Sequence, residues 1–318
     1  MNESKLRKIL NPVRSPMVRR AAILGAIVLA GLFAGRPAFA EVDLSGDWVA
    51  YGHEDPMERG GGPYAVDYLG LPLNDQGRER ALLYTASQIA EPERQCLYYT
   101  SQYLVGGPFG FKMWSETEPI NGLTTAWHLS GTNDRAPITI WMDGRPDASQ
   151  YALHPIGGYA TGMWEGDTLK AKETHIKAGY LRRNGAPTSD QATITFHFIR
   201  HGNLLTIISE TVDPVYLTEP YVLSRNYMLG TQPIRPVDTP CVPGYEGQEP
   251  GTVPHYLPGK NPSVDEVSKL YNLPLEAVMG GAQTLYPAYR KKLKETYVPP
   301  AKCPANCGYG AFETNASQ

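Results

Sequence analysis

His154 and His175 stand in the stretch of this chain densest in side chains able to move protons, with Asp143, Asp190 and the pair Arg182-Arg183 close by in sequence. An imidazole held by a carboxylate is the usual general acid/base for proton abstraction, hydration or elimination. A neighbouring arginine can clamp a substrate carboxylate or an enolate-like oxygen. On this reading His175 or His154 is the acid/base, Asp143 or Asp190 its orienter, and Arg182 or Arg183 the oxygen clamp. The plainer alternative is that Gly166-Asp167 and Arg183-Asn184-Gly185 are turn chemistry and that Asp190 caps a loop.

Other chemistries lack a signal. His154, His175, His197 and His201 show none of the short H-x-H or H-E-x-x-H spacings that preset a metal site. Cys303 and Cys307 form a C-x-x-x-C without a second spaced pair. There is no G-x-S-x-G, Gly60-Gly61-Gly62 has no downstream Lys, and no dinucleotide fingerprint occurs. Neither a cofactor nor a metal is therefore expected. The aromatic content, 20 Tyr, 5 Trp and 7 Phe, suits the lining of a pocket for a small hydrophobic or aromatic molecule. Three functions follow from these residues: a cofactor-independent lyase, isomerase or hydratase, a carrier without catalysis, or a structural envelope protein.

The elements that would position these residues are strands. Ala192–Arg200 puts Ile194, Phe196 and Phe198 on one face and Thr193, Thr195 and His197 on the other, the period of a half-buried strand. His201-Gly202-Asn203 turns the chain into Leu204–Val212. Tyr159–Trp164 with Thr168–Ile176, and Phe111–Glu116 with Leu123–Ser130 across Asn121-Gly122, form two more hairpins. Hairpins without intervening helices predict a mainly β fold, an antiparallel meander that ends as a barrel or a closely related sandwich. Gly46-Asp47-Trp48 on the first strand resembles the G-x-W of lipocalins and related calycin barrels. That resemblance implies a lipocalin-like barrel, a Trp plugging one barrel end and a late-strand arginine, here Arg225, packed on it.

Asn74 can cap a helix running through Arg78 and Leu82 toward Ala86. Eight prolines fall in the thirty residues Pro233–Pro262, which predicts an extended segment wrapping the surface. Ser263–Glu266 reads as a capping box opening a helix to Tyr271. Leu275–Met279 and Thr284–Tyr297 predict two more helices. The organisation expected is residues 1–40, a barrel over 41–230, and a Pro-rich segment with short C-terminal helices over 231–318.

Residues 1–40 carry seven basic side chains and one acidic one, an apolar run from Ala21 to Gly35, and Ala38-Phe39-Ala40. This is the layout of a secretory signal cut after Ala40, with an apolar run shorter than the roughly 20 residues of a membrane span. The remainder then holds 22 basic and 31 acidic residues, a net charge of -9. An acidic remainder disfavours nucleic acid and anionic membrane as partners. Export, to the periplasm or beyond, places Cys96, Cys241, Cys303 and Cys307 in an oxidising compartment, where Cys96–Cys241 and Cys303–Cys307 are the expected disulfides.

Ile140–Pro146, Gly162–Leu169, Arg182–Gly185, Asp213–Pro220 and Val253–Pro262 together resemble blocks of an uncharacterised family of exported bacterial proteins. The resemblance implies export and a single β domain, and it brings no activity with it.

Overall fold

The computed structural model describes residues 41–51, 64–85, 95–96, 99, 101, 103, 110–131, 137–234, 242–243, 253, 255–298 and 300. Eleven strands lie among them. They are β1 (Gly46–Ala50), β2 (Phe111–Thr117), β3 (Thr124–Gly131), β4 (Ile138–Trp141), β5 (Tyr159–Glu165), β6 (Thr168–Thr174), β7 (Gly179–Tyr180), β8 (Pro187–Thr188), β9 (Thr193–His201), β10 (Leu204–Val212) and β11 (Tyr221–Leu229). Nine close into a barrel in the order β1-β11-β10-β9-β6-β5-β4-β3-β2, while β7 and β8 pair separately. The fold is thus mainly β, a closed barrel with short C-terminal helices, and from Val42 onward the chain is one compact unit.

Alternation sets which side chains fill the barrel. Ile194, Phe196 and Phe198 of β9, with Leu205 and Ile207 of β10 and Leu169 and Ala171 of β6, are all buried in one cluster, while the residues between them face outward. Burying each large side chain of this kind stabilises the fold by about 1.5–3 kcal/mol. Trp48 is completely buried in the barrel core. Its indole N–H donates to the Leu44 carbonyl at 3.0 Å, and Phe111 and Tyr227 meet edge-to-face at 4.9 Å. The cation over Trp48 is Arg200 of β9, 5.2 Å from the ring, not the expected Arg225. Arg200 also donates to the Asp43 carbonyl.

The meander is broken at one place. β4 and β5 run parallel, Ile140 opposite Ala160 and Trp141 opposite Thr161, whereas every other barrel pairing is antiparallel. Parallel neighbours need a crossover rather than a tight turn, and residues 142–158 supply it along the outside of the barrel. Arg145 stacks over Trp141 at 3.6 Å, Tyr159 Oη donates to the Pro146 carbonyl at 3.1 Å, and Lys172 pairs with Asp147 at 2.6 Å.

The barrel end away from Trp48 is covered by residues 64–73 and by the helices. Asn74 caps α1 (Asp75–Leu82) as expected, its Oδ1 accepting from the Gly77 N–H at 2.8 Å. The C-terminal part forms α2 (Glu266–Tyr271), α3 (Leu275–Val278), a 3-10 turn (Ala282–Leu285) and α4 (Pro287–Thr296). Two expectations change here. The capping residue of α2 is Asp265, without a side-chain cap bond, so Ser263 does not form a capping box. The predicted Thr284–Tyr297 helix is divided at Tyr286, which is extended because Pro287 follows it. These elements clamp the 64–73 segment. Tyr68 N–H donates to the Val278 carbonyl at 2.8 Å, Gly281 N–H to the Leu71 carbonyl at 2.7 Å, and Gly70 N–H to Thr284 Oγ1 at 3.0 Å. Tyr256 N–H and Asn261 Nδ2 donate to the carbonyls of Leu83 and Leu82, seating the end of the Pro-rich segment on α1.

Among the described residues no helix is long and apolar enough to cross a membrane. Cys96 is disulfide-bonded. The proposed pairings with Cys241 and between Cys303 and Cys307, and the predicted signal over residues 1–40, involve positions outside the described residues.

Candidate functional site at the barrel end away from Trp48

The register of the sheet runs Trp127, Ile140, Ala160, Glu173, Ile194, Thr211 and Tyr221 side by side across β3, β4, β5, β6, β9, β10 and β11. All seven are buried. This ring of residues lies at the barrel end away from Trp48, and its one ionisable carboxyl is Glu173. Glu173 is completely buried and its Oε1 accepts from Ser101 Oγ at 2.6 Å. Its Oε2 has no hydrogen-bond partner among the described residues. Loss of hydration pushes the carboxyl up from 4.5 to about 8, a rise that the Ser101 hydrogen bond partly opposes. Below about pH 8 this is therefore a carboxylic acid, a donor as well as an acceptor.

The surroundings of the carboxyl are built to receive it. Gly158, just before β5, has φ of 61°, and a Cβ there would collide with the Glu173 carboxyl. Tyr99 and Tyr103 flank Ser101 in sequence. Both are buried, with ring centroids 4.6 Å apart. Arg182, on the loop between β7 and β8, is buried at the same end and donates to Tyr221 Oη at 3.4 Å.

The two histidines predicted as acid/base do come together, with ring centroids 5.2 Å apart at the rim, just past Glu173. His154 Nδ1–H donates to the Ile176 carbonyl at 2.9 Å. His175 Nε2–H donates to the Ser149 carbonyl at 2.9 Å and its Nδ1 accepts from Thr174 Oγ1 at 2.9 Å. His175 holds φ of 54°, a left-handed conformation that turns its side chain out of the strand alternation and onto the crossover.

The expected carboxylate partners are elsewhere. Asp143 is exposed and is gripped by Arg145, Nε to Oδ1 at 2.8 Å and Nη2 to Oδ2 at 2.6 Å. Those hydrogen bonds hold it well below the usual carboxylate range, at about 2. Asp190 is exposed in the turn after β8, and neither aspartate bonds to His154 or His175. Asp143 and Asp190 thus do not orient either imidazole. Arg183 is half-buried, and Asn184 next to it is a turn residue. The Asn184 Oδ1 accepts from the Ala186 N–H, and its Nδ2 donates to the Asp67 carbonyl at 2.8 Å. Among the described residues an imidazole–carboxylate pair does form at His128, between Glu116 at 3.0 Å and Thr139 Oγ1 at 3.1 Å. It lies on the outer face, stacked on Trp114, and ties β2, β3 and β4 together. A surface cleft of about 470 Å³ opens beside α1, but Arg78 in it is already paired with Asp75 and bonded to the Leu73 carbonyl.

Glu173 and Ser101 were missed in the sequence reading. The signal for Glu173 was present: Leu169, Ala171 and Glu173 alternate inward along β6, so a carboxylate stands at a core position. Ser101 carried no signal, since 72 residues separate it from Glu173.

Comparison of the chain with family models, with curated proteins and with solved structures finds no match.

Proposed function

We propose that this chain is an exported enzyme that performs acid/base chemistry on a small apolar or aromatic molecule at the barrel end that holds Glu173, without a cofactor. Glu173 takes the role first assigned to the histidines. The observation that carries this reading is a fully buried carboxyl that keeps its proton to about pH 8, beside Ser101 and with one oxygen uncommitted among the described residues. A catalytic acid works best when its pKa lies near the operating pH, and burial is the usual way to raise a glutamate that far. His154, its Nδ1 hydrogen-bonded to the Ile176 carbonyl, is the second proton-carrying side chain at the same end of the barrel. The acid form of Glu173 falls away above pH 8, so turnover that depends on it declines there.

The second reading is a carrier, favoured by the apolar ring around Glu173, where the carboxylic acid only fixes a ligand's orientation. One experiment separates the two. Wild type and Glu173→Gln are incubated in D2O with 1-indanone, and deuterium uptake at carbon is followed by mass spectrometry. Faster exchange in wild type, lost in Glu173→Gln, supports the enzyme. Equal exchange rates remove Glu173 from the chemistry, and saturable binding without exchange favours the carrier.

A further inference from the structure

The inward row that holds Glu173 contains a second unsatisfied group. Trp127 is buried, and its indole Nε1–H has no hydrogen-bond partner among the described residues. Between the two stand only Ile140 and Ala160. Ala160 contributes a single methyl to the row, and the residues two before and two after it on the chain are Gly158 and Gly162. Trp127 and Glu173 therefore stand on one inward row, on either side of the short Ala160 side chain. An indole nitrogen can only donate, and a neutral carboxylic acid has one O–H to donate. Leaving such donors unmet inside a protein is destabilising. The pair of donors with no matching acceptor selects the chemistry of what satisfies them.

We infer that the Trp127 indole N–H and the Glu173 carboxyl form a two-donor site for the oxygen of an uncharged carbonyl compound. This rests on the Glu173 end of the barrel being the functional site, and it names the substrate class for that site. An anion is disfavoured, since it would leave water for a wall of Ile140, Ala160 and Ile194. A hydrocarbon satisfies neither donor. A ketone or aldehyde oxygen accepts from both, and the same two donors would hold the oxygen more tightly as negative charge develops on it.

The test uses full-length mature protein labelled with 15N at tryptophan, its indole signals followed by NMR at pH 6.5. The Trp127 signal is identified by its loss in Trp127→Phe, and all titrations are read in the wild-type protein. The probes are 2-cyclohexenone, cyclohexene and cyclohexanecarboxylate. The expected result is a downfield move of the Trp127 N–H with cyclohexenone, and binding at least about tenfold weaker for cyclohexene, which accepts from neither donor. Equal binding of cyclohexene with an unmoved indole overturns the carbonyl assignment and leaves the barrel end as an apolar site. Preference for cyclohexanecarboxylate overturns it too. If no probe perturbs the row, both this inference and the site itself fall. An indole proton that contacts bound water and ignores every probe assigns the donors to structural water and overturns the inference.

Discussion

Ser101 Oγ donates to Glu173 Oε1 at 2.6 Å inside the barrel, a side chain from the region between α1 and β2 reaching one on β6. The serine stabilises whatever negative charge the carboxyl carries, and it does so against the larger effect of burial. A carboxyl poised between these two influences titrates near neutrality rather than in the acid range.

Stability should therefore fall as the solution becomes alkaline. The unfolded chain releases the Glu173 proton near 4.5 and the folded one near 8, so the folded state binds the extra proton in that window. The stabilisation is complete below about pH 4.5 and is lost progressively as pH rises to about 8. Urea midpoints at pH 5, 7 and 9 should drop by the equivalent of a few kcal/mol at most from this group. Glu173→Gln, which cannot ionise, should flatten that dependence. An unchanged slope in the variant would assign it to other groups.

Ser101→Ala removes the one hydrogen bond that favours the charged form. The infrared C=O band of the protonated carboxyl, assigned by its absence in Glu173→Gln, should then persist to higher pH than in wild type. The variant should also lose about 1–3 kcal/mol, the cost of a buried polar group deprived of its partner. A band that titrates at lower pH in Ser101→Ala would contradict the role given to the serine.

Gly158→Ala places a methyl against the Glu173 carboxyl at a backbone angle of 61° that disfavours any side chain. The expected cost is at least about 2 kcal/mol, combining overpacking with left-handed strain. Glu173→Ala in the same chain should recover the steric part and leave the backbone part. Thermal unfolding of the two single variants and the double variant measures that coupling, and strict additivity would show that the two residues do not press on each other.

His175 pins the crossover to the barrel through the Ser149 carbonyl and does so from a left-handed backbone. His175→Ala should lose both the bond and the conformational tolerance, speeding amide exchange through residues 145–153. His175→Asn, which accepts the left-handed region more readily, should be the milder variant. Similar exchange in wild type and His175→Ala would mean that Arg145, Lys172 and Tyr159 suffice to hold the segment.

Much of the barrel was legible in the chain. Period-two alternation over Thr193–His201 and Leu204–Val212 specifies a strand and its buried face whatever its neighbours, because successive side chains must point to opposite sides. The Asn121-Gly122 turn and the Asn74 cap are local in the same sense, each depending on a few adjacent residues. The parallel pairing of β4 with β5 was not legible, since nothing local distinguishes a 17-residue crossover from a loop between antiparallel strands.

The site divides along the same line. From the sequence, chemically able residues gather between Asp143 and Asp213, with His154 and His175 expected at strand edges. His175 directly follows β6, His154 lies in the crossover, and the two rings meet. Only the tertiary structure decided which carboxyl matters. Asp143 satisfies itself with Arg145 two residues away, while Glu173 is buried by closure of the barrel and meets a serine 72 residues distant. Proximity in sequence sets which short-range pairs form. Desolvation, which turns an ordinary glutamate into an acid at neutral pH, is a property of everything packed around it and exists only once the sheet has closed.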